Sequence, residues 1–139
     1  MSAHTLASIS SLVAGTSNAP GGFTNGSVID LGAPSAATAP DGGTLYLKLT
    51  NGATGPIKAA ELVVFESVAI GNTAPALPTT PAGDANWKQV HAIGSGTAAN
   101  DETTGRYTFG PGVRYLLAMI RGNTGQAVVG EALGQSFAY

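Results

Sequence analysis

The 139-residue sequence contains no cysteine and few charged residues. Without cysteine the chain has no disulfide, no zinc-thiolate site and no thiol nucleophile. Lys and Arg together number 6, charged residues make up 10% of the chain and the formal net charge is -2. No basic surface is therefore available to release counterions from a nucleic acid. No apolar run approaches the ~18 residues of a membrane-spanning helix, so we expect neither nucleic acid nor membrane as a partner.

Glycine and proline are plentiful, with 20 and 8 residues respectively. Both disfavour helix interiors, so the composition excludes a helical bundle and favours strands joined by turns. The length suits a single domain of roughly 100–200 residues. Within it, Leu45, Leu47 and Leu49 alternate with polar residues, which is typical of a strand with one buried face.

Residues 113–121 are apolar at both odd and even positions, which predicts a central strand covered on both faces. In the segment 86–93, Trp87 and Ile93 are expected on the same face. Further strands are predicted at 27–31, 57–68, 86–93, 106–109 and 126–139, with a hairpin turn at 122–125, a polar loop through 100–102 and a proline-containing surface loop at 71–84. About seven strands predict an all-β fold, an antiparallel β-sandwich of immunoglobulin-like or jelly-roll type, over residues 27–139.

Residues 1–26 are predicted to form an N-terminal arm, because small and polar residues dominate and no period of two is present. An extended arm that orders against another surface is favoured over one short helical turn. No Lys or Arg precedes its weakly apolar stretch, so it makes a poor signal peptide and we expect the chain to stay in the cytosol. Its apolar residues have no evident core and are the predicted contacts with a capsid or a second subunit: Leu6, Ile9, Leu12, Val13 and Phe23.

The sequence offers little catalytic chemistry. Histidine occurs only as His4 and His91, and His91 is expected to be structural because it lies on a predicted strand face. No serine stands in a nucleophile elbow, and Asn100-Asp101-Glu102 lacks the spacing of a calcium loop. We therefore expect a protein that is not an enzyme, with no catalytic residue, no cofactor and no metal site.

Four aromatic residues could serve binding instead of packing. Trp87, Tyr46, Tyr107 and Tyr115 would form a platform for sugar rings if their faces were exposed. Aromatic residues on strands more often pack inside, so we expect them in the core. A carbohydrate-binding module is the alternative, and it requires an exposed aromatic row.

The scarcity of charge extends to the turns and the ends of the strands. Soluble β-proteins usually protect edge strands with charged residues, and here the supply is small. We therefore expect much of the surface to be packed against identical copies or a larger partner. The strands that are apolar on both faces, at 62–65 and 113–120, fit that expectation.

Three segments between residues 43 and 139 carry a further pattern: N-G-A-T-G-P at 51–56, N-W at 86–87, and G-V-R-Y-L at 112–116 leading into R-G-N-T-G-Q-A-V at 121–128. Together they resemble small β-sandwich virion proteins of tailed bacteriophages. The resemblance implies capsid decoration, or cement, on the capsid surface of a virion assembled in the host cytoplasm. It also implies the major capsid protein as partner and a homotrimer. A tail or neck component of the particle is an alternative.

Overall fold

The computed structural model of the chain describes residues 5–32, 39–67 and 73–138. Within these ranges the chain forms strands and no helix. The strands are β1 (Thr5–Asn18), β2 (Phe23–Asn25), β3 (Ile29–Asp30), β4 (Gly42–Asn51), β5 (Glu61–Ser67), β6 (Lys88–Gly94), β7 (Glu102–Phe109), β8 (Tyr115–Arg121) and β9 (Val128–Ala138). His4, Val68 at the end of one predicted strand, the first two residues of the predicted loop 71–84, and Tyr139 lie outside the described residues.

The strands form two antiparallel sheets that pack against each other. The first sheet has the order β1-β9-β4-β7, and the second has the order β2-β8-β5-β6 with β3 also paired to β8. This arrangement confirms the predicted all-β antiparallel sandwich. The described residues contain more strands than the expected seven, because β1 and β2 fall within the segment predicted as an arm.

The predicted hairpin at 122–125 is wrong. β8 belongs to the second sheet and β9 to the first, so the connection crosses between the sheets instead of joining neighbours. A Gly-Asn-Thr-Gly sequence supplies the backbone freedom for a reversal but does not select the strand that follows as a partner. The side chain of Asn123, which a hairpin would expose, is fully buried in this connection.

The main core lies between the two sheets. The leucines of β4 are buried as predicted, with 0–2% of their surface exposed. Burial of a leucine side chain contributes about 1.5–3 kcal/mol, so this strand anchors the sandwich. The core residues that β4, β5 and β8 contribute are Leu45, Leu47, Leu49, Leu62, Val64, Leu116, Ala118 and Ile120.

A second apolar cluster covers the outer face of the second sheet. Here Trp87 packs with residues of β5 and β8: Val63, Phe65, Tyr115, Leu117 and Met119. The segment 73–87 lies over this face, held by hydrogen bonds from the Trp87 indole to the Ala76 carbonyl (2.9 Å) and from the Asn25 amide to the Pro78 carbonyl (2.9 Å). The strands are covered on both faces as predicted, but the cover is the chain itself. Their apolarity therefore does not require a partner.

A bulge in β6 overturns the expected face sharing of Trp87 and Ile93. Val64 of β5 pairs with His91 and Phe65 pairs with Gln89, so Val90 is an extra residue in β6. A bulge shifts the alternation by one position. Trp87 consequently joins the outer cluster, whereas Ile93 packs against the main core.

Several strand boundaries differ from the predictions, and the largest differences are at the starts of β5 and β7. β5 begins at Glu61 and not at residue 57, because residues 57–60 form a single bridge, between Lys58 and Thr124, instead of a ladder. β7 begins at Glu102, inside the predicted polar loop, and pairs with β4 along its length. β7 is an edge strand, and one of its faces points to solvent and carries polar residues. Composition alone does not distinguish such a strand from a polar loop.

β1 is the edge strand of the first sheet and pairs with β9 from Thr5 opposite Ala138 to Asn18 opposite Val128. The alternative of a helical turn is not realised in residues 5–18. Two register shifts interrupt the pairing, one at Ser11 and one between Leu12 and Thr16. The described part of residues 1–26 therefore contributes β1 and β2 to the sheets, and its role as a separable arm stays a prediction.

Candidate functional site

Ser11 attaches β1 to the second sheet. Its hydroxyl donates to the Ser27 carbonyl and accepts from the Ala118 amide, both at 2.8 Å. The Ser27 amide donates to the Ser11 carbonyl at 2.7 Å. On this side of β8, β2 ends opposite Met119 and β3 begins opposite Leu116, so the serine fills the gap between two short strands.

Residues 5–10 of β1, the β1 edge, have β9 on one side and no strand on the other among the described residues. They read T-L-A-S-I-S and include no charged residue. Leu6 is 58% exposed and Val13, in the irregular region that follows, is 65% exposed. Edge strands normally carry charges or prolines that discourage pairing with another chain. The β1 edge lacks these protections.

The predicted contact residues fall into three environments. Leu6 and Val13 are exposed and accessible to a partner. Leu12 is buried in the main core, and Ile9 packs against that core. Phe23 packs against the outer cluster. Leu12 thus stabilises the chain's own fold, because the bulge at Ser11 turns it inward.

An open groove of about 580 Å³ runs over the outer face of the first sheet. β4 and β9 form its floor, and the exposed ring of Tyr46 stands in it opposite Leu133. We call this surface the Tyr46 groove; its polar lining includes Ser8, Lys48, Thr104, Glu131 and Gln135. A smaller depression of about 300 Å³ shares Lys48 and Glu131 and continues toward Gly15.

The charges of the Tyr46 groove balance one another. The Lys48 ammonium lies between the carboxylates of Glu102 and Glu131, with N–O distances of 3.8 and 3.7 Å. Arg106 is exposed on the same face, directly opposite Tyr46 in the pairing of β4 and β7. The charged residues that line the groove are Lys48 and Glu131, so its lining carries no net charge, and Glu102 and Arg106 lie outside the lining.

The aromatic row that a sugar platform would need does not form from the predicted residues. Trp87 and Tyr115 are buried in the outer cluster. Tyr107 is partly buried between the sheets, where its hydroxyl donates to Glu66 at 2.6 Å and its ring stacks on His91 at 5.9 Å. Of the four aromatics considered, Tyr46 alone is largely exposed, at 55%.

The site of Tyr107 is electrostatically distinct. Burial raises the pKa of Tyr107 well above its usual range, and the hydrogen bond and negative charge of Glu66 raise it further. The phenol therefore stays protonated and acts as a hydrogen-bond donor, not as a base. The His91 ring stacks on this phenol, and its structural role stays a prediction.

Across residues 5–32, 39–67 and 73–138, no group of three or more His, Asp or Glu side chains is placed to hold a metal ion. The same ranges contain no helix long and apolar enough to cross a membrane. The expectation that the protein is not an enzyme stays a prediction.

A scan against models of protein families and a search of curated proteins each return no match.

Sequence reasoning missed the Tyr46 groove and the role of Ser11. The alternation of residues 44–50 already placed Tyr46 and Lys48 on the polar face of one strand. Glu131 and Gln135 join them only because β9 pairs with β4, which local patterns do not encode. Ser11 carried no signal at all, since a buried serine and a surface serine look alike in a polar segment.

Proposed function

We propose that this chain is a non-enzymatic structural protein of a bacteriophage virion that decorates the capsid and stabilises it by binding across neighbouring capsid subunits. Its partners are the major capsid protein and further copies of itself, in a homotrimer on the capsid surface. The observation that carries the proposal is the β1 edge, with Leu6 and Val13 exposed beside it. The resemblance to small β-sandwich virion proteins and the low charge of the chain support the same function.

Strand addition gives the β1 edge a mode of binding. An unpaired strand edge offers amide donors and carbonyl acceptors in a row, and a strand of a neighbouring subunit can complete them. Leu6 and Val13 would add apolar contact on either side of the bulge. A main-chain interaction of this kind suits a surface with few charges, because its affinity does not depend on ion pairs.

Repetition makes such contacts sufficient for stabilisation. Each copy would contribute a weak interaction, but once one subunit of an oligomer is bound the next contact forms at high effective concentration. Internal genome pressure must then break the added contacts before the shell opens. The mechanism is mechanical and needs no catalytic group.

The proposal is tested by placing a charge on the β1 edge. Leu6→Lys introduces it at the exposed Leu6, and Ile57→Lys is the matched control, because Ile57 is 82% exposed and lies outside β1. Co-sedimentation with expanded capsids that lack the chain measures occupancy. We expect Leu6→Lys to weaken binding by about tenfold or more, a loss of ~1.4 kcal/mol per site, and Ile57→Lys to bind as wild type does.

Thermal melting of both variants shows that they fold, since each substituted side chain is exposed. Equal occupancy of capsids by Leu6→Lys and wild type would refute the β1 edge as the contact. Binding to isolated tails or necks, with none to capsids, would refute decoration and support the tail or neck alternative.

A further inference from the structure

The Tyr46 groove meets the β1 edge only at Ser8, and its position on central strands excludes strand addition. β4 and β9 are central strands, each paired on both edges. Their backbone donors and acceptors are already used within the sheet, so the groove offers a ligand side chains only. A ligand must therefore be recognised by the exposed ring of Tyr46 and the polar groups around it.

We propose that the Tyr46 groove is a binding site for a neutral oligosaccharide, in which a single aromatic ring takes the place of the aromatic row expected of a carbohydrate-binding module. Tyr46 is 55% exposed on the outer face of a central strand, where a sugar ring can stack its C–H face against the phenol ring. Lys48 and Thr104 supply hydrogen-bond donors, and Glu131 and Gln135 supply acceptors. Sugars need this combination, because each ring presents an apolar face and a rim of hydroxyls that both donate and accept.

The charge balance of the groove selects a neutral ligand. Lys48 is held between Glu102 and Glu131, so an anionic ligand would compete with two carboxylates for one ammonium. A cationic ligand would meet the Lys48 ammonium, which lines the groove. Hydroxyl groups, by contrast, can hydrogen-bond to the paired charges without separating them.

Two other occupants fit less well. A second copy of the chain would have to bury the ion pairs of Lys48, and charged side chains are depleted from the centres of protein interfaces for that reason. An extended peptide would find no free backbone partner on β4 or β9. The groove volume of about 580 Å³ falls within the range of ~300–1,000 Å³ that small-molecule sites occupy.

The test titrates the isotopically labelled full chain with neutral hexasaccharides of the cellulose, xylan, starch and chitin types, and with oligogalacturonate as a charged probe. Amide chemical shifts locate the site. We expect at least one neutral probe to shift amides of β4 and β9 around residues 46–48 and 131–135, and oligogalacturonate to leave them unchanged. Tyr46→Ala should weaken binding by about tenfold, as expected when ring stacking is lost.

Two controls separate stacking from general damage. Tyr46→Phe keeps the ring and should retain binding within about threefold of wild type, and Ile57→Ala removes an exposed apolar side chain elsewhere and should bind as wild type does. Three results would overturn the proposal: no shift with any neutral probe at millimolar concentration, equal affinity for Tyr46→Ala, or shifts confined to the second sheet. None of these results would affect the capsid contact, which depends on the β1 edge.

Discussion

Replacement of Ser11 by alanine removes the hydroxyl that joins the edge of one sheet to a gap in the other. In the wild type this hydroxyl donates to the Ser27 carbonyl and accepts from the Ala118 amide, both at 2.8 Å. Ala118 lies in β8 and is fully buried. Neither β2 nor β3 extends to the Ala118 amide, so in the variant neither strand replaces the Ser11 hydroxyl as its acceptor.

The cost follows from the desolvation of these groups. A buried donor left without a partner costs about 1–3 kcal/mol, and the Ser27 carbonyl loses a bond beside it. Ser27 and Ser11 keep their main-chain bond of 2.7 Å, which limits the loss. We expect Ser11→Ala to lower the free energy of unfolding by about 2–3 kcal/mol. For a domain of this size the melting temperature would fall by roughly 6–15 °C.

Urea unfolding measures this effect directly. Ser10→Ala is the matched control, because Ser10 is the preceding residue and its side chain is exposed. We expect the midpoint to fall for Ser11→Ala with an unchanged slope, and to stay at the wild-type value for Ser10→Ala. Hydrogen exchange of the Ala118 amide should also accelerate in Ser11→Ala more than that of other β8 amides. Equal midpoints for the two variants would refute the role assigned to Ser11.

Two further substitutions test buried polar contacts. Asn123→Ala should lower the free energy of unfolding by about 2–4 kcal/mol, because the buried amide of Asn123 bonds to Asn18 and Gln126. Asn86→Ala, at an exposed asparagine, is the control in urea unfolding. Equal midpoints for the two variants would contradict the role assigned to Asn123. Tyr107→Phe should cost about 1 kcal/mol at neutral pH. The pKa of Tyr107 is raised in the folded chain by burial and by Glu66. The wild type should therefore keep its full excess of unfolding free energy over Tyr107→Phe below about pH 10, and this excess should shrink at higher pH. Urea unfolding at several pH values checks this, and an advantage that stays constant with pH would contradict it.

The asparagines show how a local prediction of turns can miss the function of a side chain. Asn51 and Asn123 stand in Asn-Gly and Gly-Asn sequences that predict turns, and both lie where β-strands end. Yet both are buried. The Asn51 amide donates to the carbonyls of Gly96 and Ala98 and so holds the loop that precedes β7. Turn propensity is a property of the backbone, whereas the partners of the amide come from a distant segment.

The candidate sites were accessible to sequence reasoning to different degrees. Leu6 and Val13 were identified because apolar residues in a polar segment are conspicuous, and the structure leaves both exposed. Leu12 could not be separated from them, since only the bulge at Ser11 turns it into the core. The Tyr46 groove needed two strands that are separated along the chain to be neighbours, and no local pattern reports that pairing.

Alternation and turn chemistry in the sequence by themselves determined that this chain is an antiparallel β-sandwich. The leucines of β4 could face only one side, and β5 and β8 had to be covered on both, because side chains alternate along any strand. Tertiary structure decided which strands are neighbours and what covers the outer face. It brings Ser11 to Ala118, 107 residues later, and places Glu131 beside Lys48. The physical reason is that alternation is local, whereas pairing depends on how the whole chain closes around its core.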